Sequence, residues 1–188
     1  MYNFKAIPTR YRDIHFRSRT EAKWAAFFDL CGIDWQYEPA ECDRWFPDFI
    51  IGCGSQTYLV EVKPIWFRSI SDSDQIVQSQ LADTFEKCHD ATLCLGLGPC
   101  EAEDENGFAW SNVIGYQKFI GRDVYQTQEK YYPIGFYKPG VLSFLSQFSR
   151  FEPIDLMPYW EKAQNKTQWK PSNEKVVDLL NLGALSAS

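Results

Sequence analysis

The sequence predicts an α/β or α+β fold in which helices flank a central mixed β-sheet. An amphipathic helical pattern near the N-terminus is followed by three short extended runs, a second helical pattern and an apolar run. This order of elements is typical of helices packed on a mixed sheet. The chain has 188 residues, 45% of them hydrophobic, which is enough for one core. We expect a main domain over residues 1–150 and a C-terminal helical extension with a tail over 151–188.

The first helix is predicted over residues 19–31. Ser18 and Glu21 have the spacing of a capping box, in which each residue satisfies a backbone donor of the other. Apolar residues then recur at helical spacing, at Trp24, Phe27, Phe28 and Cys31. Gly32 follows as the expected C-terminal stop of the helix.

The extended runs cover residues 35–38, 45–51 and 57–63, and they are rich in residues that favour strands. A turn at 52–55 makes the second and third runs an antiparallel hairpin. Further elements are predicted along the rest of the chain: a helix over 72–88, a buried strand over 91–97, an acidic loop over 101–105, strands over 108–114 and 131–137, helices over 141–148 and 173–182, and a frayed tail over 184–188.

Several classes of protein are disfavoured by composition. No run of about 18 apolar residues occurs, so no membrane span is predicted. The first residues lack the pattern of a secretory signal peptide, which favours a cytoplasmic protein. The six cysteines form no CxxC pair and only two histidines are present, so we expect free thiols rather than a zinc site.

Charge is distributed unevenly along the chain. The formal net charge of −6 weighs against a nucleic-acid partner, yet residues 1–23 carry six lysines and arginines against two acidic residues. Arg17, Arg19 and Lys23 flank Glu21, and we expect them to contact phosphates. The alternative is a basic arm that is simply solvated.

The hairpin brings together residues that can perform chemistry. Glu61 and Lys63 are two apart in a strand, so their side chains share a face about 6.6 Å apart. Pairing across the turn places Asp48 opposite residues 59–61. Two carboxylates at one sheet edge repel each other unless a cation lies between them, and oxygen ligands of this kind suit Mg²⁺ or Mn²⁺. Such a site is suited to phosphodiester hydrolysis.

Two simpler interpretations stand beside this one. Glu21 lies on the apolar face of the first helical turn, from which it can approach the metal, or it only closes the capping box with Ser18. Glu61 and Lys63 can equally form a solvent-facing salt bridge on a strand.

The combination of Glu21 on a leading helix, Pro47-Asp48, and Glu61-Val62-Lys63 after a short turn resembles the PD-(D/E)xK nuclease superfamily. The segments 16–24 and 35–39 are similar to the first helix and the following strand of that group. The resemblance implies a restriction-endonuclease-like core, and it does not extend over residues 98–188.

The resemblance also implies a role for each matching residue. Asp48, Glu61 and the backbone carbonyl of Val62 would be metal ligands, Lys63 the catalytic lysine, and Glu21 a carboxylate that binds or orients the metal or its water. Related nucleases often carry a glutamine on the helix after the lysine, for which the candidates are Gln75, Gln78 and Gln80. The metal would be Mg²⁺, with Mn²⁺ able to replace it.

We therefore predict a Mg²⁺-dependent DNA endonuclease. The alternative is a catalytically silent or partner-dependent binding protein of the same fold, for example a subunit of a transposase or of a defence-related complex. The expected partners are DNA and either a second copy of the chain or another protein, with no membrane.

Overall fold

The structure is a computed structural model that describes residues 6–39, 41, 45–66, 92–103, 109–122, 127–138, 141–144 and 155–168. Nine strands and two helices lie in this described part of the chain. In chain order they are β1 (Thr9–Tyr11), β2 (Ile14–Phe16), α1 (Arg19–Cys31), β3 (Asp34–Tyr37), β4 (Phe49–Cys53), β5 (Gln56–Val62), β6 (Thr92–Glu103), β7 (Ala109–Arg122), β8 (Thr127–Lys138), β9 (Val141–Phe144) and α2 (Met157–Lys166).

Helix α1 forms where its sequence predicts it. Ser18 has an extended backbone, and its hydroxyl accepts a hydrogen bond from the Glu21 N–H at 3.1 Å, which caps the first turn. Gly32 has a left-handed backbone with φ of 67°, and its N–H returns to the carbonyls of Phe28 and Asp29. Glycine adopts this conformation without the cost of a Cβ, so the helix ends there.

The described strands form a mixed sheet, as predicted. Seven of them lie in the order β3-β4-β5-β6-β7-β8-β9, and a separate pair joins β1 to β2. Within the seven, β5 and β6 are parallel and every other neighbouring pair is antiparallel. The hairpin of β4 and β5 turns at Gly54, whose φ is 64°, and pairs Phe49 with Val60.

The core lies between α1, the sheet and α2. The predicted apolar face of α1 is buried, and Trp24 packs on Trp160 of α2 with ring centroids 4.8 Å apart. On the sheet side, Phe28 contacts Phe49 of β4 edge-to-face at 5.5 Å. Val60 of β5 is also buried, as its alternation with Glu61 predicts. These contacts fix α1 against the end of the sheet where the polar residues converge.

Several predicted elements are wrong or incomplete. Residues 141–144 form strand β9, not the start of a helix, because Leu142 pairs with Phe136 of β8. The backbone of Glu101–Glu103 belongs to the long strand β6 and not to a loop. The predicted strands over 91–97, 108–114 and 131–137 are present but longer, as β6, β7 and β8.

Other features were not predicted or cannot be compared. Strands β1 and β2 were not predicted, and helix α2 lies within the predicted helical extension but outside the helix predicted there over 173–182. The predicted helices over 72–88 and 173–182, the tail over 184–188, and Gln75, Gln78 and Gln80 lie outside the described residues. Neither of the two described helices is long and apolar enough to cross a membrane.

Candidate active site

The polar residues singled out from the sequence converge at one end of the sheet. Strand β4 begins where its antiparallel partner β5 ends, and Phe49 pairs with Val60. Asp48 directly precedes Phe49 and Glu61 directly follows Val60, so the register places these two carboxylates side by side, within the range that the hairpin predicted. Lys63 comes two residues later, and its N–H donates to the Leu95 carbonyl of β6 at 2.9 Å.

Glu61 and Lys63 share a face and form an ion pair. The Lys63 Nζ lies 2.7 Å from Glu61 Oε1, and the indole N–H of Trp45 donates to Glu61 Oε2 at 3.2 Å. The Glu61 side chain is only 14% exposed. Glu61 is therefore largely enclosed, whereas the Lys63 side chain is 35% exposed, so the ion pair is partly open to solvent through its lysine.

Asp48 is a buried carboxylate that two partners hold in place. It is buried, its Oδ2 accepts the Val62 N–H at 2.7 Å, and its Oδ1 pairs with the Arg17 guanidinium at 2.5 Å. Burial, then the negative charges of Glu61 and Glu21, raise the pKa of Asp48 to about 7, against the opposing effects of the Val62 N–H and Arg17. Three carboxylates therefore interact electrostatically at this end of the sheet.

Glu21 is held in place from two sides. The Ser18 hydroxyl donates to Glu21 Oε1 at 2.7 Å, and the Tyr37 hydroxyl donates to Oε2 at 2.6 Å. Burial and the bond to Glu21 raise the pKa of Tyr37, which keeps its hydroxyl protonated as a donor. Glu21 thus serves the capping of α1 and also lies close enough for its charge to raise the pKa of Asp48.

Lys63 carries its proton at neutral pH. Burial alone lowers the pKa of its ammonium, but the hydrogen bond to Glu61 and the charges of Glu61 and Asp48 outweigh burial and raise that pKa. In this arrangement Lys63 is a fixed positive charge and a hydrogen-bond donor, and it is not a base.

A cleft of about 330 Å³ opens beside these residues. It lies between the first turn of α1, the end of β5 and residues 6–7, and its lining includes Glu21, Lys63 and Arg19. The Arg19 Nε is buried and has no hydrogen-bond partner among the described residues. The cleft therefore combines a carboxylate with two cationic side chains.

The three basic residues expected to contact phosphate differ in their surroundings. Arg17 is engaged within the protein, by Asp48 and by Glu38. Arg19 lines the cleft. Lys23 is half-buried, and burial together with the charge of Arg19 lowers its pKa.

Three residues of the site were missed by sequence reasoning. Tyr37 orients Glu21, Trp45 binds Glu61, and Glu38 binds Arg17. Tyr37 and Glu38 do lie in the segment 35–39 that carries the family resemblance, so that segment was the available signal. Their partners are distant in sequence, and no local pattern could have identified them.

Comparisons of the chain with protein-family models, curated proteins and solved structures find no match.

The donor chemistry of the site fits a hard divalent cation. Asp48 and Glu61 supply carboxylate oxygens next to the Val62 backbone, and Mg²⁺ is commonly held by one or two carboxylates together with water and a substrate phosphate. Within the described residues, no group of three His, Cys, Asp or Glu side chains is gathered closely enough to hold a metal. Asp48 and Glu61, which the register of the hairpin places opposite each other, would supply two carboxylate ligands.

Proposed function

We propose that the protein is a metal-dependent DNA endonuclease whose active site consists of Asp48, Glu61, Lys63 and Glu21. The observation that carries the proposal is that two enclosed carboxylates and a protonated lysine converge where β4 begins and β5 ends. Helix α1, the antiparallel strands β3-β4-β5 and the parallel strand β6 form a mixed α+β arrangement, which supports the proposal at the level of fold class. The cleft gives a substrate access to Lys63, Glu21 and Val62, which belong to its lining.

Asp48, Glu61 and the Val62 carbonyl would hold Mg²⁺, with Mn²⁺ able to replace it. The ion would lower the pKa of a bound water and polarise a phosphoryl oxygen, and both effects promote phosphodiester hydrolysis. The mutual repulsion of Asp48, Glu61 and Glu21 is the electrostatic condition that a divalent ion relieves.

The side chains of the protein supply the remaining functions. Lys63, protonated beside Glu61, stabilises negative charge that develops on the phosphate. Glu21, fixed by Ser18 and Tyr37, is a positioning carboxylate that accepts a hydrogen bond from the attacking water. Arg19 lines the cleft and attracts the DNA backbone.

A partner-dependent nuclease subunit is the second candidate, and the charge of the chain favours it. A net charge of −6 weakens non-specific attraction to DNA, and one of the three expected phosphate contacts, Arg17, is already engaged internally. A basic partner or a second copy of the chain would then supply the DNA affinity.

Cleavage of a DNA panel tests the proposal. Single-stranded, duplex, flapped and branched substrates are incubated with Mg²⁺, Mn²⁺ or EDTA and the wild-type protein or Asp48→Asn. Asp34→Asn is the matched control, because Asp34 is exposed at the start of β3. We expect metal-dependent cutting by the wild type and by Asp34→Asn, and a loss of about 100-fold or more in Asp48→Asn.

Other outcomes separate the candidates. Cutting that appears only after a DNA-binding partner is added would identify the subunit. Folded protein that cuts no substrate, with or without a DNA-binding partner, would refute both candidates. Cutting by Asp48→Asn at the wild-type rate would refute the assigned site.

A further inference from the structure

Arg17 connects two carboxylates at the candidate active site. It lies between β2 and α1, and its Nε is 2.9 Å from Glu38 Oε1 while its Nη2 is 2.5 Å from Asp48 Oδ1. The Asp48 side chain is 6% exposed, whereas that of Arg17 is 58% exposed. A largely exposed cation thus covers a buried carboxylate, an arrangement that we call the Arg17 bridge.

The backbone holds the Arg17 bridge at both ends. The Arg17 N–H donates to the Tyr37 hydroxyl at 3.1 Å, which ties the residue to β3. The Glu38 N–H donates to the Asp48 carbonyl at 2.9 Å, which keeps the two carboxylates adjacent. Because these contacts involve the main chain, the bridge differs from a surface ion pair between two freely moving side chains.

The Arg17 bridge and a divalent ion compete for the same carboxylate. Asp48 Oδ2 is engaged by the Val62 N–H and Oδ1 by the guanidinium. A metal held by Asp48 would lie within a few ångströms of the guanidinium, and like charges at that separation repel strongly in a partly buried site. Glu38 remains as a second partner that can retain Arg17 once it has left Asp48.

We propose, building on the proposed function, that Arg17 is the resident counter-cation of Asp48 and that a divalent ion must displace its guanidinium to occupy the site. In the metal-free protein the Arg17 guanidinium provides a positive charge in direct contact with the buried Asp48 side chain, which lies beside Glu61. Metal binding therefore includes the cost of breaking the Arg17–Asp48 contact. Only molecules in which Arg17 has left Asp48 can bind the metal. The apparent metal affinity is therefore the intrinsic affinity multiplied by the fraction of such molecules.

Calorimetric titration of Mn²⁺ into the DNA-free protein tests this inference. Wild type, Arg17→Gln and Arg12→Gln are compared. Arg12 is a matched control, because its side chain is similarly exposed and also pairs with a largely buried carboxylate. That carboxylate is Asp29, at 2.9 Å, and it is not part of the candidate site. If Arg17 occupies Asp48 in about nine molecules out of ten, its removal tightens Mn²⁺ binding about tenfold. Arg12→Gln is expected to bind Mn²⁺ like the wild type.

Arg17→Lys is a second variant that keeps the test informative if Arg17→Gln does not fold. Lysine keeps the charge but lacks the guanidinium fork that contacts Asp48 and Glu38 together. We expect its Mn²⁺ affinity to lie between those of the wild type and Arg17→Gln. Circular dichroism of each variant establishes that folded protein is being titrated.

The possible results separate this inference from the function on which it rests. Wild-type binding that equals or exceeds that of both Arg17 variants would overturn the counter-cation role and leave the metal site standing. Absence of Mn²⁺ binding in every folded variant would overturn the proposed metal-dependent function, and this inference with it.

Discussion

At the scale of single residues, the ionisation of Asp48 makes the stability of the folded protein depend on pH. Burial and the charges of Glu61 and Glu21 raise its pKa to about 7, from an ordinary value of 3.8 in the unfolded chain. The folded state therefore retains a proton that the unfolded state releases. The resulting stabilisation is fully present below about pH 3.8 and is lost as the pH rises through about 7.

This shift predicts the pH dependence of stability in metal-free buffer. In EDTA, the melting temperature of the wild type is expected to fall by several degrees between pH 5 and pH 8, as Asp48 ionises beside Glu61. Asp48→Asn removes the titrating group, so its melting temperature should fall less over that range. Scanning calorimetry of both proteins, with Asp34→Asn as the control, measures the difference. Parallel profiles for Asp48→Asn and the wild type would contradict the assignment.

At the scale of elements, Tyr37 joins β3 to the start of α1. Its hydroxyl accepts the Arg17 N–H and donates to Glu21, while its ring packs on Phe16 and Phe49 at centroid distances of 4.5 and 5.4 Å. The ring belongs to the core and the hydroxyl belongs to the site, so the two contributions can be separated.

Tyr37→Phe keeps the ring and removes the hydroxyl. We expect a loss of about 2 kcal/mol in the free energy of unfolding, because the Glu21 carboxylate loses the hydrogen bond that the Tyr37 hydroxyl donates to it. Metal-dependent cleavage should fall as well, because Glu21 is no longer held. Tyr58→Phe is the control on β5 of the same sheet, where the hydroxyl bonds only the exposed Gln56 among the contacts described. Urea unfolding and cleavage rates are measured for both, and equal effects would contradict the role of Tyr37.

The elements differ in how far the sequence predicts them, and the reason is physical. Helix α1 has its cap, its apolar spacing and its glycine stop within fifteen residues, so local chemistry defines it. Strand β9 has a comparable apolar content over residues 141–144, but its pairing with β8 decides its conformation. Pairing partners of this kind are tertiary information, which overrides local propensity.

At the scale of the whole molecule, α2 completes the core. Trp160 is 2% exposed and lies against Trp24 and Phe27 of α1, with ring centroids 4.8 and 5.8 Å away. A helix in the predicted C-terminal helical extension, outside the helix predicted there over 173–182, therefore contributes a central side chain to the packing around α1.

Trp160→Ala is expected to destabilise the protein by about 3–5 kcal/mol, because it leaves a large cavity beside Trp24. Met157→Ala on the same helix is the control, since Met157 is an exposed side chain. Chemical denaturation followed by circular dichroism compares the two with the wild type. A small effect of Trp160→Ala, similar to that of Met157→Ala, would mean that α2 is not part of the cooperative core.

The candidate site was predictable from sequence only in part. The two-residue period of a strand places Glu61 and Lys63 on one face, and a short hairpin brings Asp48 beside them. The contacts that hold the site together come from Arg17, Tyr37 and Trp45, which meet their partners over separations of 16 to 31 residues. Those separations carry no periodic signal, so only the folded structure reveals them.

The measurement that tests the central claim most directly is the single-turnover rate of DNA cleavage in saturating Mg²⁺ for wild type and Lys63→Met. Lys162→Met, an exposed lysine on α2, is the matched control. The account predicts that Lys63→Met lowers the rate by about 100-fold or more while the control cuts like the wild type. Equal rates for all three proteins, or no metal-dependent cleavage by the folded wild type on any substrate, would contradict it.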